Sequence, residues 1–190
     1  MKISLLVLSV FASCITSAGF VYSDTSRIVN NANEYNGVTE EISYTYGDDQ
    51  YNKGIYKIVE FYNAKKRIVR IESYYTDDHA RNDGIIKREQ EYTNESIRTP
   101  RLREAEYYYN KEYSNRVGLS KSKEYYDGNG KRIKTEFSYT DSYAHKKNIS
   151  RLDALYDASG NAYRHIYYGK DGKMISTEEK KEGEWKQVKP

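Results

Sequence analysis

Tyrosine recurs in this chain at a fixed interval, and that interval limits the available folds more than any other feature. One series of tyrosines closes successive strand-like runs and has steps of 30, 34 and 30 residues: Tyr62, Tyr92, Tyr126 and Tyr156. A second series has steps of 34, 30 and 29 residues: Tyr75, Tyr109, Tyr139 and Tyr168. A fixed period near 30 is typical of a repeat architecture in which each unit stacks on the next.

Each repeat has the features of a two-stranded hairpin. The tight turns lie in YNAKKR, YDGNGK and YDASGN, where Asn, Asp and Gly permit the positive φ angles that such turns need. The opposite ends carry three connections of equal length, at residues 76–84, 110–118 and 140–148. A meander places all three connections on one edge of the sheet.

The runs between these turns predict the fold class. They are short and rich in Tyr, Ile, Val and Thr, and no stretch carries a sustained i, i+3, i+4 apolar face, so helix is disfavoured and we expect consecutive strands. Charged residues fall on both faces of several runs, which favours a single-layered sheet over a tight sandwich. The sequence therefore predicts an all-β protein, an antiparallel meander of β-hairpin repeats in an extended or curled sheet.

Composition gives tyrosine a packing role and argues against one class of partner. Of 190 residues, 22 are Tyr, and without them the hydrophobic 37% would leave a thin aliphatic core. A tyrosine ring can pack while its hydroxyl stays in water. The net charge is only +3 with both signs interspersed, which differs from the basic footprint of a nucleic-acid-binding protein. We expect no nucleic-acid partner.

The N-terminus has the features of an export signal. Lys2 precedes an apolar run from Ile3 to Ala12 that is too short to span a bilayer, and small residues follow. We predict a signal peptide at residues 1–18, a flexible arm at 19–37 and the hairpin-repeat domain at 38–190. Cleavage before Gly19 would release a soluble protein. Cleavage before Cys14, in FASC, would give a lipid-anchored one, and this is the sole expected contact with a membrane.

The motifs YDGNGKRI and YDASGN resemble the YD repeats of the RHS family. That motif has Tyr-Asp, two residues, Gly, then Arg and an aliphatic residue. Tyr126, Asp127 and Gly130 match it in the first copy, with one Lys inserted before Arg132 and Ile133. The second copy matches its first half, and YYGKDGKM resembles the hairpins of MORN-type variants, so the resemblance covers residues 119–174. It implies β-hairpin repeats in exported or surface proteins that bind partners or form shells, and about four units are too few to enclose anything.

No motif for catalysis, for a cofactor or for a metal is present. HExxH, GxSxG, paired cysteines and a phosphate-binding Gly loop are all missing from the sequence. A metal shared by His79 and His145 would rest on two scattered histidines, and we predict no metal site. Carboxylates are numerous, but none can be singled out as catalytic from the sequence.

Two surfaces are candidates for binding. The first is the tyrosine rows of the sheet, since rigid amphipathic rings can stack on sugars or contact a protein. The second is the edge that carries the three equal connections. The candidate residues are Tyr75, Tyr109, Tyr126, Tyr139 and Tyr168 in the rows, with His79, Tyr113, Tyr143 and His145 in the connections. The competing interpretation is that the tyrosines replace a core and the connections are solvated.

These features predict an exported, non-catalytic bacterial cell-envelope protein that binds a protein or glycan partner. One alternative is an envelope-glycan hydrolase with a carboxylate-lined cleft. The other is a structural surface protein that self-assembles through its sheet edges.

Overall fold

A computed structural model describes residues 25–93 and 100–188 of the chain. The predicted signal peptide, Cys14 and most of the TNESIRTP segment lie outside the described residues. Within them the regular structure is twelve strands and four short helices. The strands are β1 (Ser26–Asn31), β2 (Val38–Ser43), β3 (Ile55–Tyr62), β4 (Ile68–Tyr75), β5 (Ile85–Thr93), β6 (Arg101–Tyr109), β7 (Leu119–Tyr126), β8 (Arg132–Tyr139), β9 (Arg151–Tyr156), β10 (Ala162–Tyr168), β11 (Met174–Lys181) and β12 (Glu184–Val188). The helices are α1 (Asp49–Asn52), α2 (Asp77–Asp83), α3 (Lys111–Val117) and α4 (Asp141–Lys147).

All twelve strands form one antiparallel sheet in chain order, with β1 and β12 at its two edges. The predicted all-β meander is thus confirmed. The hairpin turns form as their sequences predict: the Asp127 carboxylate accepts hydrogen bonds from the backbone N–H groups of Asn129 at 2.8 Å and Lys131 at 2.9 Å, and Gly130 has φ of +78°. Asp157 holds the next turn in the same way.

The expectation that disfavoured helix is wrong in the three equal connections. Each of the three equal connections contains a seven-residue helix, capped at its N-terminus by the side chain of Thr76, Asn110 or Thr140. Each ends at a residue in the left-handed conformation, namely Gly84, Gly118 or Asn148. Two helical turns are too short to display an apolar stripe, so periodicity could not reveal them, and the local capping chemistry determines them instead.

The predicted flexible arm also needs correction, because residues 26–31, in the middle of it, belong to the sheet. Residues 26–31 form β1, which pairs with β2 from Ser26 opposite Ser43 to Asn31 opposite Val38. Most residues of this segment are polar, but it contains Ile28 and Val29 and adds one strand to the sheet.

The sheet buries small residues and has two distinct faces. Among the described residues, Ser73 is the largest side chain that is fully buried, and it lies with Ala105 and Thr135 on the face we call the helix face. On the opposite face, which we call the ladder face, carboxylates face one another across consecutive strands: Glu72 opposite Glu89, and Glu89 opposite Glu106. A single layer of this kind is stabilised by cross-strand pairs rather than by an enclosed core.

Cations neutralise the carboxylates of the ladder face. Lys87 Nζ lies 3.0 Å from a Glu72 oxygen and 2.6 Å from a Glu89 oxygen, and Arg70 pairs with the same two carboxylates. Like charges directly opposite one another on a sheet are destabilising. Lys87 and Arg70, which lie in the two rows that flank this pair, therefore offset the repulsion between the carboxylates.

Candidate functional site

Six of the nine sequence-predicted site residues form three matching ring stacks. Each stack joins the last tyrosine of a strand to an aromatic residue in the first turn of the following helix. The stacks and their ring-centroid distances are Tyr75–His79 at 4.5 Å, Tyr109–Tyr113 at 5.0 Å and Tyr139–Tyr143 at 4.5 Å. These stacks fasten each helix to the helix face of the sheet.

The same helix rings also cover the end of the preceding helix. A Cβ atom on Gly84 would lie 2.3 Å from Cγ of Tyr113, and one on Gly118 would lie 2.2 Å from Cδ2 of Tyr143. His79 approaches Gly54 in the same way. Backbone hydrogen bonds of 2.7 to 2.8 Å accompany these contacts, for example from Asn110 N–H to the Gly84 carbonyl. The four helices therefore form a continuous row along the side of the sheet where the strands end, and we call this side the helix edge.

The other three predicted residues lie apart from one another. The Tyr126 hydroxyl donates to Glu124 at 2.6 Å near the hairpin turns. The Tyr168 ring lies 3.9 Å from the Arg151 guanidinium carbon, and exposed His145 lies in the last turn of α4. The structure thus brings together the predicted residues in pairs, and it does not gather all nine into one site.

An open cleft at the helix edge is one concave site of the described residues. It lies between α1 and α2, has a volume of about 740 Å³, and opens beside the ladder face. Its walls are lined by Tyr51, Tyr56, Tyr74, Tyr75, Thr76, Asp77, Asp78, Arg81, Ile86 and Lys87. This volume is in the range of pockets that bind small molecules.

Two β-bulges shape the walls of the cleft. The register of β3 against β4 shifts between Ile55 and Lys57, and the register of β5 against β6 shifts between Ile85 and Lys87. The extra residues are Tyr56 and Ile86, whose side chains are 41% and 42% exposed. A bulge redirects the side chain of the inserted residue, and both residues line the cleft as a result.

The floor of the cleft is a tyrosine held by charged neighbours. The Tyr74 hydroxyl donates to Glu72 at 2.6 Å, while Lys57 and Lys87 lie 4.4 and 5.2 Å from its ring centroid. Burial and the hydrogen bond to Glu72 raise the pKa of Tyr74. This ring is therefore fixed and neutral, whereas the Tyr56 ring, tilted against it at 6.3 Å, is the accessible one.

The rim of the cleft carries two carboxylates from consecutive residues of α2. Asp78 pairs with Arg81, one helical turn away. Asp77 is exposed and has no hydrogen-bond or ion-pair partner within residues 25–93 and 100–188. The rim thus offers a free hydrogen-bond acceptor beside an aromatic wall.

A second, smaller hollow lies at the hairpin turns. Its volume is about 350 Å³, and Tyr126, Lys131 and Arg132 meet the turn at 158–160 there. It has a single aromatic residue and no carboxylate in its lining. We therefore regard the helix-edge cleft as the stronger candidate site.

Sequence reasoning missed Tyr51 and Tyr56, and it did not select Asp77, whereas Arg81 lies in a connection that it did include in a candidate surface. These residues come together because α1 forms and because β3 has a bulge, and neither feature has a periodic signature. In the part of the chain that the structure describes, no three His, Cys, Asp or Glu side chains are grouped as metal ligands, and no helix has the length and apolarity needed to cross a membrane.

No protein-family model, curated protein or solved structure matches the chain. The resemblance to YD repeats therefore stays a prediction from the sequence.

Proposed function

We propose that this chain is an exported, non-catalytic cell-envelope protein that binds a glycan in the helix-edge cleft. The observation that carries the proposal is that the accessible Tyr56 ring and the exposed Asp77 carboxylate line the same cleft of about 740 Å³. Sugar rings present C–H faces that pack on aromatic rings and hydroxyls that donate to carboxylates. The export part of the proposal rests on the apolar leader that ends near Cys14.

The arrangement of carboxylates favours binding over hydrolysis. Glycosidases use two carboxylates that flank the scissile bond from separate positions. In this cleft the lining carboxylates are Asp77 and Asp78, which are neighbours on one helix, and Asp78 is engaged by Arg81. This placement of the carboxylates on one helix supports sugar recognition over sugar cleavage.

We expect Tyr56→Ala to weaken the binding of soluble cell-wall oligosaccharides at least about tenfold, because the accessible aromatic wall is lost. Asp77→Asn should weaken binding by a smaller factor. Isothermal titration calorimetry with the purified protein would measure both effects. Tyr163→Ala is the matched control, since Tyr163 is 42% exposed on β10 and lies outside the cleft. If Tyr56→Ala and Tyr163→Ala weakened binding equally, this assignment would be contradicted.

Mass spectrometry of the mature N-terminus tests the export proposal separately. We expect either a diacylglyceryl-modified Cys14 or a free Gly19 as the first residue, because these are the two cleavage positions in the leader. A protein recovered from cells with Met1 intact would refute export and leave the cleft proposal standing.

A further inference from the structure

The two edges of the sheet differ in chemistry. At β12 the outer strand carries the charged residues Glu184 and Lys186, and its Trp185 ring is stacked on His165 at 3.8 Å. Charged side chains on an edge strand discourage pairing with another strand. At β1, by contrast, Ile28 and Val29 are each 51% exposed.

Among the described residues, no strand pairs with the outer side of the β1 backbone. The hydrogen bond from Ala32 N–H to the Gly37 carbonyl, together with Asn31 opposite Val38, fixes which groups point toward β2. By the alternation of an antiparallel ladder, the N–H and C=O groups of Arg27 and Val29 point away from β2. Within the described residues β1 pairs with β2 alone. An extended strand could therefore add to this edge.

Charge makes β1 compatible with its own copy. Arg27 is the single charged residue of β1, and it pairs with Glu40 of the neighbouring strand. Two β1 strands that meet in antiparallel fashion would place no like charges directly opposite one another when Arg27 faces Val29. The same register places Ile28 opposite its own equivalent, where neither residue makes the ladder hydrogen bonds and the side chains approach most closely.

We propose that β1 is a homodimer interface, in which two copies of this chain pair their β1 strands about a two-fold axis normal to the sheet. The Arg27 and Val29 backbone groups of each copy bond to Val29 and Arg27 of the other, and the two Ile28 side chains pack on one face. The two sheets become one continuous sheet. Such isologous pairing is the commonest form of closed assembly.

A cysteine cross-link tests the strand register directly. In a Cys14→Ser background, Ile28→Cys places the two thiols at a non-hydrogen-bonded pair, where Cα atoms are about 4.5 Å apart and a disulfide fits. We expect mild oxidation to give a covalent dimer. Arg27→Cys in the same background faces Val29 and should give little dimer. Equal cross-linking of the two variants, or none with either, would overturn the proposed pairing.

Sedimentation velocity over a wide range of protein concentration measures the association itself. We expect a reversible dimer whose dissociation constant rises at least about tenfold in Val29→Lys, because a lysine opposes edge pairing. Ile133→Lys is the matched control, since Ile133 is 46% exposed on the internal strand β8 and should leave the dimer unchanged. A wild-type protein that is monomeric at every concentration would overturn the proposal.

Discussion

Replacing Gly84 with alanine should lower the free energy of unfolding by about 3 kcal/mol. Gly84 has φ of +78°, where a side chain costs about 1 kcal/mol. Its new Cβ would also lie 2.3 Å from Cγ of Tyr113, so the ring must leave its stack with Tyr109. Forced movement of a packed side chain costs about 1–3 kcal/mol more. Urea denaturation followed by circular dichroism would measure the loss.

Gly130 provides the matched control for this substitution. It also has φ of +78°, and no heavy atom lies within 4 Å of the position that its Cβ would take. Gly130→Ala should therefore cost about 1 kcal/mol, from backbone strain alone. A double-mutant cycle with Tyr113→Ala sharpens the comparison, because removing the ring should make Gly84→Ala less costly. Equal losses for Gly84→Ala and Gly130→Ala would show that the ring contact contributes nothing.

Glu72→Gln should cost about 3 kcal/mol at pH 7 and much less at pH 3. Glu72 is 7% exposed, accepts from Tyr74 and pairs with Arg70 and Lys87, and removing one partner of a buried ion pair costs about 3 kcal/mol. Burial alone would raise its pKa, but the hydrogen bonds from Tyr74 and Lys87 and the charge of Arg70 lower it below 4.5. Its contribution is therefore present above pH 4.5 and lost as the pH falls through the lowered pKa. Urea denaturation at the two pH values measures this.

Asp153 lies on the same face of the sheet and provides a control, because its contribution to stability should change with pH in the opposite direction. It is 5% exposed and lies opposite Glu136, and burial raises its pKa above 3.8, with a smaller contribution from the Glu136 charge. The folded state thus favours protonated Asp153, and stability is lost as the pH rises from 3.8 through the raised pKa. The free energy of unfolding of Asp153→Asn, relative to that of the wild type, should therefore rise between pH 3 and pH 7. If Glu72→Gln and Asp153→Asn followed the same trend, a general effect of net charge would explain both.

Local chemistry decided how much of the fold could be predicted. The Asp127-x-x-Gly130 turn requires a positive φ at a glycine and a carboxylate that accepts two backbone N–H groups, and both requirements are visible in the letters. Such turns predicted where the strands begin and end and that neighbouring strands pair in chain order. The helices of that edge were missed because their signal appears only when the three equal connections are aligned. Each connection then has a capping residue, an aromatic residue three positions after it, a small residue four positions after it, and Gly or Asn eight positions after it.

The cleft depends on contacts that no local pattern encodes. Tyr51 and Tyr56 approach α2 because α1 turns the chain and because β3 contains one extra residue. Tyr75 is a second example of a role that no local pattern encodes. Its position in the repeat was evident in the sequence, but whether its ring packs or remains open depends on His79, which lies in a helix that was not expected.

The contact between Gly84 and Tyr113 also bears on how such an array can grow. Helices α2 and α3 each bring a ring near their beginning and a glycine at their end, so the two halves of the joint between neighbouring helices come from different units. A duplicated unit of 30 or 34 residues would carry both halves with it and fit between existing neighbours without any new complementary mutation. The last helix ends at Asn148, whose Cβ is tolerated there because no further helix follows among the described residues. We therefore expect that inserting or removing one whole unit would preserve the contact between neighbouring helices.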